Sequence, residues 1–170
     1  MRLSTDLDGI DLQLLKALQE NGRAQIGTLA EIVALSPPAV AERLRKLEER
    51  GIIRGFTAQL APSALALDIT GFILVRVDSS THYPKFLARA TANKEVMECH
   101  AITGDASHLL KIRTRNTSTL ETLLAEIQRW PGVIGTRTSL VLSTHKESCE
   151  LPFSHVEEVI AESRQARRKE

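Results

Sequence analysis

The sequence predicts an α+β protein with two domains, the first helical and the second a sheet with helices. Two observations predict this class. Up to residue 60, apolar residues recur at helical spacing in three stretches separated by short breaks. From residue 69 onward, strand-like apolar runs alternate with helical stretches. The expected divisions are a first domain at 1–60, a linker at 61–68, a sheet domain at 69–153 and a tail at 154–170.

The first predicted helix opens at Leu7-Asp8-Gly9-Ile10-Asp11 and ends at Asn21-Gly22. Acidic residues at the start and Asn-Gly at the end are typical of helix boundaries. Its inward stripe is predicted to consist of Ile10, Leu14, Leu15 and Leu18.

Two further helices are predicted on either side of a tight joint at Leu35-Ser36-Pro37-Pro38. Ser36 can accept a hydrogen bond from an early backbone N–H, and Pro37 suits the first helical position. Gly51 supplies the permissive residue past the end of the second helix. The apolar faces of the two helices are predicted to be Leu29, Ile32 and Val33, and Val40, Leu44 and Leu47.

The helix after the joint has a basic outer face. Residues 1–60 hold eight basic and eight acidic side chains, but five of the basic ones fall between 43 and 54. Such a helix, presented N-terminus first, fits a DNA major groove. The same pattern is also typical of a small three-helix domain with a solvated face. The candidate DNA-binding residues are Ser36, Pro38, Ala39, Glu42, Arg43, Arg45, Lys46 and Arg54.

Residues 52–58 are predicted to form a wing strand after the third helix. Three helices followed by such a strand make a winged helix-turn-helix. This context favours DNA binding over the solvated-face alternative.

Composition places the chain among ordinary globular proteins. It has 170 residues, of which 42% are hydrophobic and 25% charged. No stretch approaches the ~20 apolar residues of a membrane helix, and the N-terminus lacks a signal-like apolar run, so we expect a cytoplasmic protein with no membrane partner. Cys99 and Cys149 give no disulfide framework and are expected to be reduced.

Metal and enzyme hypotheses find little support in the sequence. Cys99-His100 and His145-x-x-x-Cys149 suggest a zinc site, but neighbouring strand residues point to opposite faces, so we expect no metal. The sequence also lacks a nucleophile elbow, a phosphate loop and a His-Glu-x-x-His motif. We therefore expect no cofactor and no catalytic residues.

The second domain is predicted to have the order βαββαβ. Strands are expected at 71–78, 96–103, 109–114 and 134–144, and helices at 83–93 and 118–130. The inward residues of the two helices are predicted to be Tyr83, Phe86, Leu87 and Ala90, and Leu120, Leu123, Leu124 and Ile127. This is the ferredoxin-like arrangement, in which both helices cover one face of a four-stranded antiparallel sheet.

The first strand of this domain is apolar on both faces. Ile73, Val75 and Val77 share one face, and Phe72 and Leu74 share the other. Scattered aliphatic side chains on a monomer surface would also fit this pattern. We favour a dimer interface at Phe72 and Leu74, because an uncovered apolar face is otherwise unusual.

The tail is predicted to be helical. Ser154-x-x-Glu157 fits a capping box, and Val156, Val159 and Ile160 form a thin apolar stripe. Direct DNA contact by the tail is an alternative that its charge leaves open. The basic residues concerned are Arg164, Arg167, Arg168 and Lys169.

Several motifs in both halves of the chain occur in a fixed order. They are Leu-Asp-x-x-Asp, Asn-Gly-Arg, Leu-Ser-Pro-Pro, Arg-x-x-x-Leu-Glu-x-x-Gly-Ile-Ile, Cys-His-Ala-Ile-Thr-Gly-Asp and Pro-Gly-Val-Ile-Gly-Thr-Arg-Thr-Ser. With them the chain resembles the Lrp/AsnC family of feast/famine transcriptional regulators from about residue 7 to residue 153. The resemblance implies a regulator that binds double-stranded DNA and assembles as a homodimer or a higher homo-oligomer, up to an octamer of dimers. It also implies a small effector, usually an amino acid, at subunit interfaces.

Carried over by position, the family's effector pocket would combine a turn with the last strand of a neighbouring subunit. Glycine amides and hydroxyls can donate to a carboxylate, and Asp105 can accept from an ammonium. Many family members have an acid at the position of Ser107 and an aromatic residue at that of His108, so this chain departs from the pattern. We expect a neutral effector to be preferred over a basic one, unless Asp105 is free to pair with the basic side chain. The candidate residues are Gly104, Asp105, Ser107, Thr136, Thr138 and Ser139.

Two functions remain open at this stage. One is a sequence-specific transcriptional regulator whose DNA binding responds to an effector. The other is an enzyme on the same two-domain plan, resembling the decarboxylases that process sirohaem. The basic face around Arg43, Arg45 and Lys46 favours the regulator.

Overall fold

The computed structural model describes residues 7–167 and, within residues 163–167, the backbone alone. The chain divides into two compact units, Met1–Ala58 with Ser148–Glu170, and Gln59–Glu147. The helices are α1 (Gly9–Glu20), α2 (Ile26–Val33), α3 (Pro37–Glu49), α4 (Tyr83–Ala92), α5 (Thr117–Ile127) and α6 (Ser154–Arg167), and the strands are β1 (Ile69–Val77), β2 (Val96–Ala101), β3 (His108–Thr114) and β4 (Val133–Leu140).

The first unit contains the three predicted helices around a small apolar core. The side chain of Asp8 accepts hydrogen bonds from the backbone N–H groups of Ile10 and Asp11, both at 2.8 Å, and so caps α1. Asp11 accepts in return from the Asp8 N–H at 3.2 Å, which completes a capping box. Gly51, with φ at +67°, follows the end of α3 as predicted. The core consists of Leu14, Leu29, Ala30, Val33 and Val40.

Three predictions for the first unit are wrong in detail. Ile32 is 51% exposed, because Ala30 takes the inward position on α2 beside Leu29. Ser36 is the N-cap of α3, but its side chain makes no capping hydrogen bond. Residues 52–58 form no strand.

The backbone of the predicted wing has other partners. The N–H groups of Ile52 and Ile53 donate to the carbonyl of Leu47, at 2.9 and 3.2 Å, and so satisfy the C-terminus of α3. The residues that follow find no strand to pair with in the described part of the chain. Ile52 and Ile53, which were predicted to begin a wing strand, therefore cap the C-terminus of α3 instead.

The C-terminal segment from residue 148 groups with the first unit, which the division at residue 153 did not anticipate. The Gln19 side chain donates to the Leu151 carbonyl at 3.1 Å and accepts from the Leu151 N–H at 2.9 Å. Lys16 of α1 contacts the carboxylate of Glu157. The predicted helix is confirmed as α6. The side chains of Arg164 and Arg167, and all of Arg168 and Lys169, lie outside the described residues.

The second unit confirms the predicted βαββαβ order. Its sheet has the strand order β2-β3-β1-β4, and all three strand pairs are antiparallel. Helix α5 ends at Ile127, about one turn before the predicted end, and β4 ends at Leu140 rather than at 144. The core between the sheet and the two helices includes Ile73, Val75, Leu110, Ile112, Phe86, Leu123 and Ile127.

The other face of the sheet carries no helix among the described residues of the second unit and is called the open face. Phe72 on that face is 38% exposed, and Leu74 is half-buried. On the helix side, Leu87 was predicted to face inward but is also 38% exposed, because Phe86 and Ala90 fill the inward stripe of α4. Among the described residues, no helix is both long and apolar enough to cross a membrane.

Candidate functional site

Helix α3 begins at a sharp joint and exposes its N-terminal turn. The preceding helix ends at Ala34 in the left-handed conformation, with φ at +53°, which reverses the chain before Ser36. Pro37 then starts α3, as predicted from its fixed φ and missing N–H. Ser36 and Pro38 are exposed, and Ala39 is half-buried.

Arg43 does not project from the outer face of α3, contrary to the prediction. Its guanidinium Nη1 lies 2.7 Å from Oδ1 of Asp11 and 2.8 Å from Oδ2 of Asp8. The side chain of Asp11 is only 9% exposed. The hydrogen bond to Asp11 raises the pKa of Arg43 above its ordinary value. Arg43 therefore ties α3 to the capping box of α1.

Arg45 and Lys46 lie on the exposed face of α3 together with acidic neighbours. Arg45 makes a bidentate contact with Glu42, at 2.7 and 2.8 Å, and also contacts Glu49. Lys46 Nζ lies 3.5 Å from Glu42. The hydrogen bond from Arg45 lowers the pKa of Glu42 to about 2. In the free protein this face thus carries an internally neutralised set of charges.

Arg54 differs from the cations of α3. It is exposed after the end of the helix, and no acidic partner is shown for it among the described residues. The structure therefore brings Pro38, Glu42, Arg45 and Lys46 together on one exposed helical face. It places Arg43 on another side of α3.

The predicted effector turn borders a cleft in the second unit. Gly104 has φ at +114°, a conformation that favours glycine and allows the chain to turn between β2 and β3. The cleft has a volume of about 490 Å³, within the usual range for small-molecule sites. Its lining is Leu74, Arg76, Asp105, Ala106, Gly135, Thr136 and Arg137.

Of the predicted effector residues, Asp105 and Thr136 line this cleft, whereas Gly104, Ser107, Thr138 and Ser139 do not. Alternation along β4 does not separate the two groups, because Thr136, whose hydroxyl accepts from the Gln128 side chain at 3.3 Å, lies on the same face of the sheet as Thr138. Thr138 lies opposite buried Ile73, and Ser139 lies opposite exposed Phe72, so the two side chains point to opposite faces of the sheet.

The hydroxyl of Ser107 is used within the sheet. It donates to the Val75 carbonyl at 3.1 Å and accepts from the Val77 N–H at 3.1 Å. Its third contact is with Nδ1 of His108, at 3.0 Å. These three contacts match the full hydrogen-bonding capacity of a hydroxyl. Ser107 therefore supports the end of β1, and its hydroxyl has no capacity left for an effector.

His108 occupies an aromatic position of the core. Its ring centroid lies 4.8 Å from that of Tyr83 and 4.6 Å from that of Phe86, and the residue is fully buried. Burial lowers the pKa of His108, because the charged imidazolium would lose its hydration. The presence of histidine at position 108, where many family members have an aromatic residue, is thus a change in core packing.

Sequence reasoning missed Arg76 and Arg137. Both are exposed on the open face of the sheet, and the ion pairs of the described residues include neither. A usable signal existed for Arg76. It follows Phe72 and Leu74 at two-residue spacing, which places a charge at the end of an apolar strand face.

The other cations of this face have partners. Lys111 lies 3.1 Å from Glu98 and also contacts Glu147, and Arg113 lies 2.6 Å from Glu147. The hydrogen bond from Lys111 lowers the pKa of Glu147 below its ordinary value.

The residues of the zinc hypothesis are not assembled into a site. Cys99 is half-buried in the second unit, and Cys149 is exposed in the first. Burial raises the pKa of the Cys99 thiol. In the part of the chain that the structure describes, no three His, Cys, Asp or Glu side chains come together as a potential metal site.

Comparisons with known proteins agree with both halves of this architecture. Residues 7–54 match the family model described as winged helix-turn-helix DNA-binding, and residues 70–151 match that of the Lrp/AsnC ligand binding domain. The chain is 41% identical to the HTH-type transcriptional regulator FL11 of Pyrococcus abyssi, over 90% of this chain and 99% of the relative. It is 37% identical to the leucine-responsive regulatory protein of Escherichia coli K12, over 88% and 93% of the two chains.

A solved structure gives the same result. A transcriptional regulator from Neisseria meningitidis, in complex with L-methionine, superimposes with a TM-score of 0.82. It is 34% identical in sequence, and the match covers 88% of this chain and 99% of that one.

Proposed function

The chain belongs to the Lrp/AsnC family of transcriptional regulators, and we propose that it reads DNA through the exposed face of α3 and responds to a free amino acid. That it is a DNA-binding regulator follows from its family and relatives. The residues and the effector assigned below are our proposal.

The observation that carries the DNA assignment is the exposed face of α3 behind a sharp joint. Pro38, Glu42 and Lys46 follow one another at four-residue spacing on this face, with Arg45 beside them. Such a face can enter a major groove with its N-terminal residues toward the base edges. Ser36 and Ala39 belong to the same N-terminal turn.

DNA phosphates would replace the acidic partners of α3. Arg45 and Lys46 are exposed, and their pairs with Glu42 are solvent-screened and therefore weak. A phosphate can take over either cation with little loss of stability. Arg54 requires no such exchange and supplies a sequence-independent phosphate contact.

The amino-acid response rests on the ligand-binding domain and on the cleft beside Gly104. The related regulator from Neisseria meningitidis was solved with L-methionine. In this chain Asp105 lines the cleft and can accept hydrogen bonds from an ammonium group, with Thr136 nearby.

A second copy of the chain would cover the apolar part of the open face of the sheet. Phe72 and Leu74 lie on this face, and Leu109, opposite Leu74 on the adjoining strand, is half-buried there. A contiguous apolar face of this kind is typical of a homodimer interface. Such a dimer presents two α3 helices to the two halves of a pseudo-palindromic operator, in the cytoplasm where the DNA lies.

The sirohaem-decarboxylase alternative is not favoured by any of these observations. The curated relatives are named as transcriptional regulators, and the exposed face of α3 is that of a DNA reader.

Fluorescence anisotropy tests the proposed function directly. The parent protein is titrated onto a duplex from upstream of its own gene and onto a random duplex of equal length, with and without each of the twenty amino acids. We expect tighter binding to the upstream duplex, and a change in affinity with at least one amino acid. Equal affinity for both duplexes under every condition would contradict the proposal.

A further inference from the structure

We propose that the cleft beside the 104–107 turn binds an amino acid with an acidic side chain. This inference rests on the proposed amino-acid response and goes further by naming the class of effector. It changes the expectation drawn from the sequence, in which a neutral effector was matched to Asp105 and the hydroxyls. The reason for the change is the pair of arginines in the lining.

Arg76 and Arg137 are diagonal neighbours on one face of the β1–β4 ladder. Arg76 lies opposite Gly135, and Arg137 lies opposite Leu74, two residues away on both strands. Strand geometry places such diagonal neighbours about 7–8 Å apart, which is within reach of long side chains. The guanidinium of Arg76 lies over Gly135, with Nη2 3.6 Å from the position that a Cβ would take there, so it extends across β4 toward Arg137. Both head groups can therefore reach one small anion.

These two cations have no acidic partner in the described residues, whereas Lys111 and Arg113 on the same face contact Glu147. Like charges side by side on a sheet are destabilising. A bound anion relieves this repulsion and forms charge-assisted, often bidentate contacts with guanidinium groups. The open face therefore carries a positively charged site for which the described residues supply no anion.

The third charged group of the cleft is Asp105, which is exposed in the turn and forms no ion pair with either arginine. The lining thus offers two positive groups and one negative group. An acidic amino acid has the opposite set, because it carries two carboxylates and one ammonium. A neutral amino acid leaves one arginine without a partner, and a basic one adds a further positive charge.

Isothermal titration calorimetry on the full-length protein tests this match. The ligands are L-glutamate and L-aspartate, their neutral amides L-glutamine and L-asparagine, glutarate as a dicarboxylate without an ammonium group, and inorganic phosphate. We expect glutamate or aspartate to bind at least about tenfold more tightly than its own amide, glutarate or phosphate, since a hydrogen-bonded charged pair accounts for about that factor.

Variants assign the binding to the named side chains. Arg76→Gln and Arg137→Gln are expected to lower the affinity for the acidic amino acid by about 10- to 100-fold, and Asp105→Asn to weaken it as well. Arg115→Gln is the matched control, because Arg115 is exposed in the same unit but lies outside the cleft lining. We expect it to bind like the parent.

Four results would overturn the inference. Tighter binding of a neutral amino acid would do so while leaving the proposed amino-acid response intact. Phosphate or glutarate binding as tightly as glutamate would show a general anion site. Failure of all these ligands to bind, with specific DNA binding retained, would show that the cleft is no effector site. A lower mass for Arg137→Gln in light scattering would show that the arginines pair with a second copy instead.

Discussion

In the first unit, the basic side chains of α3 are matched by acidic ones, whereas the cleft of the second unit holds arginines without an acidic partner in the described residues. Arg43 contacts Asp8 and Asp11, and Arg45 contacts Glu42. Arg76 and Arg137 make no such contacts with the residues that the structure describes. The second unit also exposes Phe72 on one face of its sheet, while the helix side buries a continuous core.

This difference shows that the number of basic residues in a segment is a poor guide to where positive charge is available. Five basic residues between 43 and 54 made α3 the obvious anion-binding region. In the structure, part of that charge holds helices together or is neutralised on the helix itself. In the described residues, Arg76 and Arg137 of the second unit lack acidic partners and Phe72 lacks apolar cover, which is what a unit completed by a ligand and a second copy requires.

The largest expected effect concerns the open face of the sheet. Phe72→Asp would bury a carboxylate in the proposed dimer interface, at a cost of several kcal/mol, and should dissociate the dimer. Leu87→Asp is the matched control, since Leu87 on α4 has the same 38% exposure. Light scattering should give a halved mass for the first variant alone. A folded Phe72→Asp protein with the parent's mass would place the interface elsewhere.

A smaller effect is expected from Arg43. Arg43→Ala leaves Asp11 nearly buried without its partner, and should lower the free energy of unfolding of the first unit by about 1–2 kcal/mol. Lys46→Ala, on the same helix, removes only an exposed pair and should change it by less than about 0.5 kcal/mol. Urea denaturation followed by circular dichroism compares them. If Arg43→Ala kept the parent's stability but lost affinity selectively for the cognate DNA site, Arg43 would have to be a residue that contacts bases.

The contrast between the units also separates what the sequence could predict from what it could not. The helices and the βαββαβ order follow from periodicity and local capping, as Asp8, Pro37 and Gly51 illustrate. The wing strand failed because the Ile52 and Ile53 amides cap α3, and this competition is invisible in an apolar run.

The candidate sites were harder to predict than the fold. Side-chain partners distant in the sequence decide the role of a residue, as for Arg43 with Asp8 and Ser107 with Val75. Asp105 could be placed only because the family resemblance carries the effector turn to this position, whereas Arg76 was overlooked inside a strand that was judged for its apolar residues.

The smallest expected effect is a pH dependence from His108. Because burial lowers its pKa in the folded state, the unfolded chain binds the proton more readily. The contribution of His108 to stability is therefore fully present above about pH 6.5 and is lost as the pH falls below that value, by at most about 1.4 kcal/mol per pH unit. Tyr83 of α4 is the titratable group packed against the ring.

The test compares the free energy of unfolding of the parent and of His108→Phe between pH 7.5 and pH 5. Phenylalanine keeps an aromatic ring between Tyr83 and Phe86 but cannot take up a proton. We expect a shallower pH dependence for His108→Phe, and the parent's dependence for the exposed control His145→Gln. Identical slopes in all three proteins would show that His108 does not contribute.

The measurement that tests the DNA-reading assignment most directly is the salt dependence of binding to the duplex upstream of the protein's own gene. If Lys46 and Arg54 of each protomer contact a phosphate, Lys46→Ala and Arg54→Ala should each reduce the slope of log K against log salt by about one per protomer, or about two for the bound dimer. Arg54→Ala should weaken binding to all sequences alike. Lys94→Ala, an exposed lysine of the second unit, should keep the parent's slope. Parent-like slopes for Lys46→Ala and Arg54→Ala would show that DNA binds elsewhere and would contradict the account.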